Sequence, residues 1–231
     1  MKTFEQLTEG VYDPNIFKAF FMAGGPGSGK SYVVRRSTGG LGLKIVNSDI
    51  AFEKLLNDAD FDFDFRAMSP EKSLERDKIR SRAKEVTSKM QSNFVAGRLG
   101  LIIDGTGAEY GKIERQARRL KELGYDTYMV FVNTSLDVAI ERNNERRRKL
   151  PLDIVKTYWN NVQSNIGKFQ RLFGMGNMII IDNNEKNDKV FNTVFKTISK
   201  LSKKKVKNYI AKQWIDNQLR MKRVMGALTN R

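Results

Sequence analysis

A chain of 231 residues with 40% hydrophobic content is long enough for one sizeable core plus an appended element. It has no cysteine, which excludes disulfide frameworks, thiolate metal sites and cysteine nucleophiles, and no histidine, which leaves carboxylates and lysines to handle protons. The formal net charge of +16 points to an anionic partner and is unevenly spread, since residues 185–231 hold 13 Lys and Arg against 3 Asp and Glu.

Residues 18–23 read as a buried strand that runs into Gly24-Gly25-Pro26-Gly27-Ser28-Gly29-Lys30-Ser31, a complete G-x-x-x-x-G-K-[ST] phosphate loop. Glycines let successive backbone N–H groups turn inward on phosphates where a Cβ would obstruct them. Lys30 is expected to reach the β- and γ-phosphates, and the Ser31 hydroxyl to take a place on Mg²⁺. A helix over about 30–37 adds its positive N-terminal end to the same site. The segment predicts an ATP or GTP binder, and the absence of an N-K-x-D base-reading motif favours ATP.

A glycine-rich turn leads to a second strand over 43–47, followed at once by Ser48-Asp49. Asp49 would project from the carboxyl end of the sheet, where ligands bind in open α/β folds, and is the best placed acid to activate an acceptor hydroxyl. The competing reading makes it the N-cap of a helix starting at Ile50. Over 58–66 acids alternate with Phe61, Phe63 and Phe65, which either stack on an acceptor ring or, as favoured here, form the inward face of an extended segment. Ser69 and Pro70 open a long helix to about residue 96.

A third strand, Leu101-Ile102-Ile103, ends in Asp104, whose carboxylate is expected to hold Mg²⁺ together with Ser31. A helix over about 112–123 stops at Gly124, a fourth strand covers 127–132, and Ser135 opens a helix through the arginine-rich stretch to about 149. On that helix Arg142 and Arg146, four residues apart, share a face and can fold over the nucleotide, while Arg147, Arg148 and Lys149 meet solvent or substrate. One more helix follows Pro151 to about 172, and 178–181 form a fifth strand. The alternation predicts a doubly wound α/β fold over residues 1–184, with a parallel five-stranded sheet covered by helices on both faces.

Residues 185–231 are predicted to be a basic helical extension. Val190, Phe191, Val194, Phe195, Ile198 and Leu201 recur at helical spacing, and a final stripe of Val206, Tyr209, Ile210, Gln213 and Trp214 is expected to dock on the domain. Its lysines suit nucleic acid or another polyanion, or are simply a solvated helix face. No signal sequence and no membrane-length apolar run is present, so a cytoplasmic protein is expected.

The loop G-G-P-G-S-G-K-S, N-S-D after strand two, L-I-I-D-G-T-G after strand three and A-I-E-R-N-N-E-R-R-R-K-L-P together resemble the P-loop kinase group, an AAA-type P-loop NTPase fold, that contains polynucleotide 5′-hydroxyl kinases and zeta-toxin-type kinases. The resemblance covers about residues 18–184. It implies a five-stranded parallel sheet, Asp49 as general base, and Arg142 and Arg146 as lid arginines over ATP. The chain departs from these families in having Ile50-Ala51 after the aspartate and Asp104 rather than a glutamate before Gly105-Thr106. The expected activity is ATP- and Mg²⁺-dependent transfer of the γ-phosphate to a hydroxyl, on a polynucleotide 5′ end or related acceptor. The alternatives are a small-molecule kinase acting on a nucleotide sugar or nucleoside, and a non-kinase ATP-binding or ATP-hydrolysing protein that holds nucleic acid.

Overall fold

The computed structural model describes residues 10–65, 68–146, 149–185 and 188–229. Five strands, β1 (Lys18–Ala23), β2 (Lys44–Val46), β3 (Leu101–Asp104), β4 (Asp126–Asn133) and β5 (Met178–Asp182), form one all-parallel sheet in the order β2-β3-β1-β4-β5. The helices between and after them are α1 (Lys30–Thr38), α2 (Ser48–Asp58), α3 (Pro70–Ala96), α4 (Tyr110–Glu122), α5 (Leu136–Glu145), α6 (Leu152–Ser164), α7 (Ile166–Phe173), α8 (Asp188–Ser202) and α9 (Tyr209–Thr229). This is the doubly wound, five-stranded parallel α/β fold that the alternation of apolar runs and helical patterns predicted.

The two-residue period of β1 divides the core. Phe20 and Met22 point to one face, where they meet Val33 and Val34 of α1 and Val194, Ile198 and Leu201 of α8. Ala19, Phe21 and Ala23 point to the other, against Ile113, Ala117 and Leu120 of α4, Val162 of α6 and Phe169 of α7. After β1 the chain crosses outward to β2, and after β3 it returns past β1 to β4, so the strand order reverses beside β1. The crevice outside the carboxyl ends of β1 and its neighbours is therefore where a ligand is expected.

Three local expectations change. The helix after Ser135 ends at Glu145, because the Asn143 amide donates to the Leu150 carbonyl (2.9 Å) and accepts from the Leu150 N–H (3.2 Å), pulling the chain out at Arg146, whose backbone is extended. Arg142 and Arg146 thus do not share a helical face; Arg147 and Arg148 lie outside the described residues. The helix after Pro151 is two helices broken at the buried Asn165, whose side chain donates to the carbonyls of Gly107 and Ala108, both at 3.0 Å. The final helix is also turned from its expected orientation. Val206 and Ala211 are buried and Trp214 and Ile215 pack on the same core, whereas Tyr209 and Ile210 are exposed. Val206 precedes the helix, and Asn208, which donates to the Lys121 carbonyl (2.6 Å) and accepts from the Ile210 N–H (3.0 Å), sets where it starts.

Lys18, fully buried at the start of β1, pairs with Asp126 at 2.8 Å. The same carboxylate accepts the N–H groups of Lys207 (2.9 Å) and Asn208 (3.0 Å), fastening the basic extension to the sheet. Burial pulls the Lys18 ammonium below the usual lysine range. Tyr128, stacked on Phe20 at 5.0 Å, is pushed up to about 12 by burial. A phenol whose folded value lies above its unfolded one stabilises the fold below pH 10, and that contribution fades as pH rises toward 12. Tyr128→Phe is therefore expected to reduce the loss of urea stability between pH 9 and pH 11 by about 1 kcal/mol.

Among the described residues no helix is long and apolar enough to cross a membrane.

Candidate active site

The loop after β1 is held in shape by its own backbone and by the segments that follow β3 and β5. Gly24 N–H donates to the Thr106 carbonyl (2.9 Å) and Ser28 N–H to the Gly25 carbonyl (3.1 Å). Gly27 and Gly29 both have φ of +77°. A Cβ on Gly27 would be driven into the Ala139 carbonyl of α5, and one on Gly29 would lie 2.6 Å from the Asn183 amide. Gly29 hands the chain directly to α1, so the loop N–H groups and the positive helix end address one space.

That space is a cleft of about 560 Å³ walled by Gly24 to Ser31, Asp49, Thr106, Arg142, Glu145 and Arg146. The loop residues, Lys30, Ser31, Asp49, Arg142 and Arg146, widely separated in the chain, thus border one cavity. Arg142 and Arg146 arrive there on either side of the α5 terminus rather than from one helical face. Arg142 is fixed by donating to the carbonyls of Asn183 (2.8 Å) and Asn184 (3.1 Å), while the Asn183 side chain donates to the Ser28 carbonyl (2.7 Å).

Asp104 stands at the end of β3 behind Lys30. One of its carboxylate oxygens is ion-paired with the Lys30 ammonium and the other accepts from the Asn47 amide at 2.6 Å. Asn47 in turn accepts the Asp49 N–H (2.7 Å), so Asn47, not Asp49, caps α2. This frees the Asp49 side chain from capping, and it takes Arg80 Nη1 of α3 at 2.5 Å. The Arg80 guanidinium also lies over the Phe52 ring, 4.8 Å from its centroid. A polar chain thus links Lys30, Asp104, Asn47 and the start of α2.

Phe63 is buried, and Phe61 and Phe65 are partly buried, in a small core with Phe52, Leu56 and Ala83, so these rings build the α2–α3 unit as the favoured reading held. Four contributors carried little sequence signal: Asn47, Arg80, Asn143 and Asn183. Of these, Asn47 alone was accessible, as a capping residue type ahead of a helix.

A family profile described as an AAA domain matches residues 20–166, well over half of the chain. The chain belongs to this AAA domain family. A nucleotide-binding protein of Clostridium acetobutylicum is 31% identical over 91 residues, and the match spans 39% of this chain and about a third of that relative's length. Among solved structures, a candidate kinase from Chloroflexus aurantiacus superposes with a TM-score of 0.58 at 14% identity, over 80% of this chain and 98% of that one. The AvrRxo1-ORF1:-ORF2 complex with ATP gives 0.57 at 12% identity, over 82% and 67%. Likenesses at this identity concern the fold.

The donor set suits Mg²⁺ held mainly by phosphate oxygens and water. Ser31 offers a hydroxyl in the cleft and Asp104 one carboxylate beside it, and among the described residues no group of three or more carboxylates forms an all-protein cage.

Proposed function

We propose that this AAA domain is a kinase that moves the γ-phosphoryl group of ATP to a hydroxyl on an acceptor. The observation that carries the reading is the Asp49 carboxylate, which borders the same cleft as the phosphate loop and two arginines. Backbone N–H groups of Gly25 to Gly29 and the Lys30 ammonium would hold the β- and γ-phosphates. Ser31 and Asp104 would hold Mg²⁺, which when bound supplies charge neutralisation between the phosphates. The Asp49 carboxylate takes the hydroxyl proton as the acceptor oxygen bonds to the γ-phosphorus and the bridge to the β-phosphate breaks, leaving ADP. Arg142 and Arg146 meet the charge spread over the transferring oxygens.

The test is incubation with γ-labelled ATP and a panel of 5′-hydroxyl oligonucleotides, nucleosides, nucleotide sugars and sugar phosphates. A labelled acceptor supports the reading, and ATP consumption with no labelled acceptor removes it. Within it Arg80 is a positioning residue for Asp49. Arg80→Ala is expected to lower kcat about tenfold with KM for ATP nearly unchanged, because the contact that orients the Asp49 carboxylate is lost. Arg80→Lys should return part of kcat, whereas a merely structural arginine would lower thermal stability without this split between kcat and KM.

A further inference from the structure

Asn183 directly follows β5 and is only 5% exposed, yet no step of the transfer uses it. Its N–H donates to the Asn133 carbonyl at the end of β4 (2.9 Å), which holds its main chain as a continuation of the sheet. From that fixed point it reaches two ways. The side-chain Nδ2 donates to the Ser28 carbonyl of the phosphate loop at 2.7 Å, and the Asn183 carbonyl accepts Arg142 Nη1 at 2.8 Å. The next carbonyl, that of Asn184, takes Arg142 Nη2 at 3.1 Å, and Asn184 is itself fastened by the Ser135 N–H on its Oδ1 at 2.7 Å.

The first contact sets a peptide plane. In a trans peptide the carbonyl oxygen and the N–H that follows it point to opposite sides. With the Ser28 carbonyl held by Asn183, the Gly29 N–H is turned away from β5, and among the described residues it has no protein acceptor. Only glycine permits this grip, since a Cβ at position 29 would lie 2.6 Å from the Asn183 amide nitrogen. The second contact sets a cation. Two carbonyls on two nitrogens fix the plane of the Arg142 guanidinium, and among the described residues no carboxylate pairs with it, so its charge is oriented without being neutralised. Arg142 Nη1 lies 3.7 Å from where that same Cβ would stand, and Gly29, Arg142 and Asn183 all border the nucleotide cleft.

We infer that Asn183 is a positioning residue for the nucleotide, tying the phosphate loop to Arg142 so that the Gly29 N–H and the guanidinium act as one unit; the inference rests on the nucleotide-binding half of the kinase reading. A phosphate chain then meets a backbone donor and a cation that need no ordering of their own, which is where preorganised sites gain affinity.

Equilibrium binding of Mg²⁺ and a non-hydrolysable ATP analogue to the full chain tests this without transfer. Asn183→Ala and Arg142→Ala should each weaken binding about tenfold. The double variant should lose less than about thirtyfold, because contacts made through one unit do not multiply. A larger loss, approaching the product of the two single losses, overturns the inference, as does parent-like binding by Asn183→Ala. Asn183→Asp covers the case in which alanine unfolds the chain: it keeps the side-chain volume and the main-chain carbonyl for Arg142 but has no N–H for Ser28. It should weaken binding at least about tenfold, and parent-like binding overturns the inference here too. In transfer assays Asn183→Ala should raise KM for ATP with kcat within about threefold, the reverse of the Arg80→Ala pattern, whereas a merely structural asparagine would lower the melting temperature without that split. A chain that binds the analogue but labels no acceptor loses the kinase reading and keeps this one; losses that multiply remove the positioning role and leave the kinase reading intact.

Discussion

Asp49→Asn is expected to lower kcat by about 10²- to 10⁴-fold, the usual contribution of a positioned general base, while ATP affinity changes by less than about threefold. The separation follows from the geometry. Asparagine keeps the shape of the side chain and an oxygen for Arg80, and α2 keeps its start because Asn47 caps it through the backbone N–H of residue 49. What is lost is the negative charge, the second acceptor oxygen and the ability to take a proton. Single-turnover transfer from labelled ATP, paired with equilibrium binding of ATP, reads the two quantities apart. A protein that uses ATP only to bind or release a polyanion would keep both, and equal turnover in the variant and the parent chain would reassign Asp49 to holding Arg80 and α3 in place.

How much of this was legible in the sequence depends on whether the signal was local. β1, the phosphate loop and the β3 strand ending in Asp104 are contiguous in sequence, each with its own periodicity, and all three stand where the pattern put them. The helix Pro70–Ala96 was also legible, since Ser69 accepts the Lys72 N–H at 3.3 Å and Pro70 occupies the first turn. The errors arose where one side chain bound backbone beyond its own helix. Asn143 ends α5 by binding Leu150, and Asn165 breaks the α6–α7 run by binding the loop after β3. Neither has a spacing that announces its partner, because an asparagine in a helix-compatible window looks the same with and without a tertiary acceptor. Arg80 illustrates the same limit at the site. It sits mid-helix in a strongly charged run, and only the packing of α3 beside α2 brings it to Asp49. The rotation of α9 has a similar origin, since the Asp126 carboxylate fixes the preceding linker from a strand more than 80 residues away in sequence.

Lys30→Met should abolish measurable transfer, with a loss of at least about 10³-fold, and should also destabilise the fold, and the two effects have different causes. The Asp104 side chain is only 2% exposed and that of Lys30 10%, so removing the ammonium leaves a buried carboxylate supported by Asn47 alone. Breaking one side of such a pair costs about 3–5 kcal/mol, or roughly 10 °C in melting temperature for a domain of this size. Lys30→Met combined with Asp104→Asn removes both charges together, so the double variant should melt close to the parent chain while remaining inactive. Thermal denaturation with and without ATP separates these contributions. The parent chain should gain stability on adding ATP and Mg²⁺, and neither variant should, since mass action needs a nucleotide that binds the folded state. The comparison also asks what the Lys30–Asp104 contact does before nucleotide arrives. If the single variant is destabilised and the double variant is not, the contact compensates a buried charge, and nucleotide phosphates must offer Lys30 at least as much as Asp104 does. If both melt like the parent, Asn47 alone satisfies the carboxylate, and the ion pair with Asp104 holds back little when the ammonium meets the phosphates.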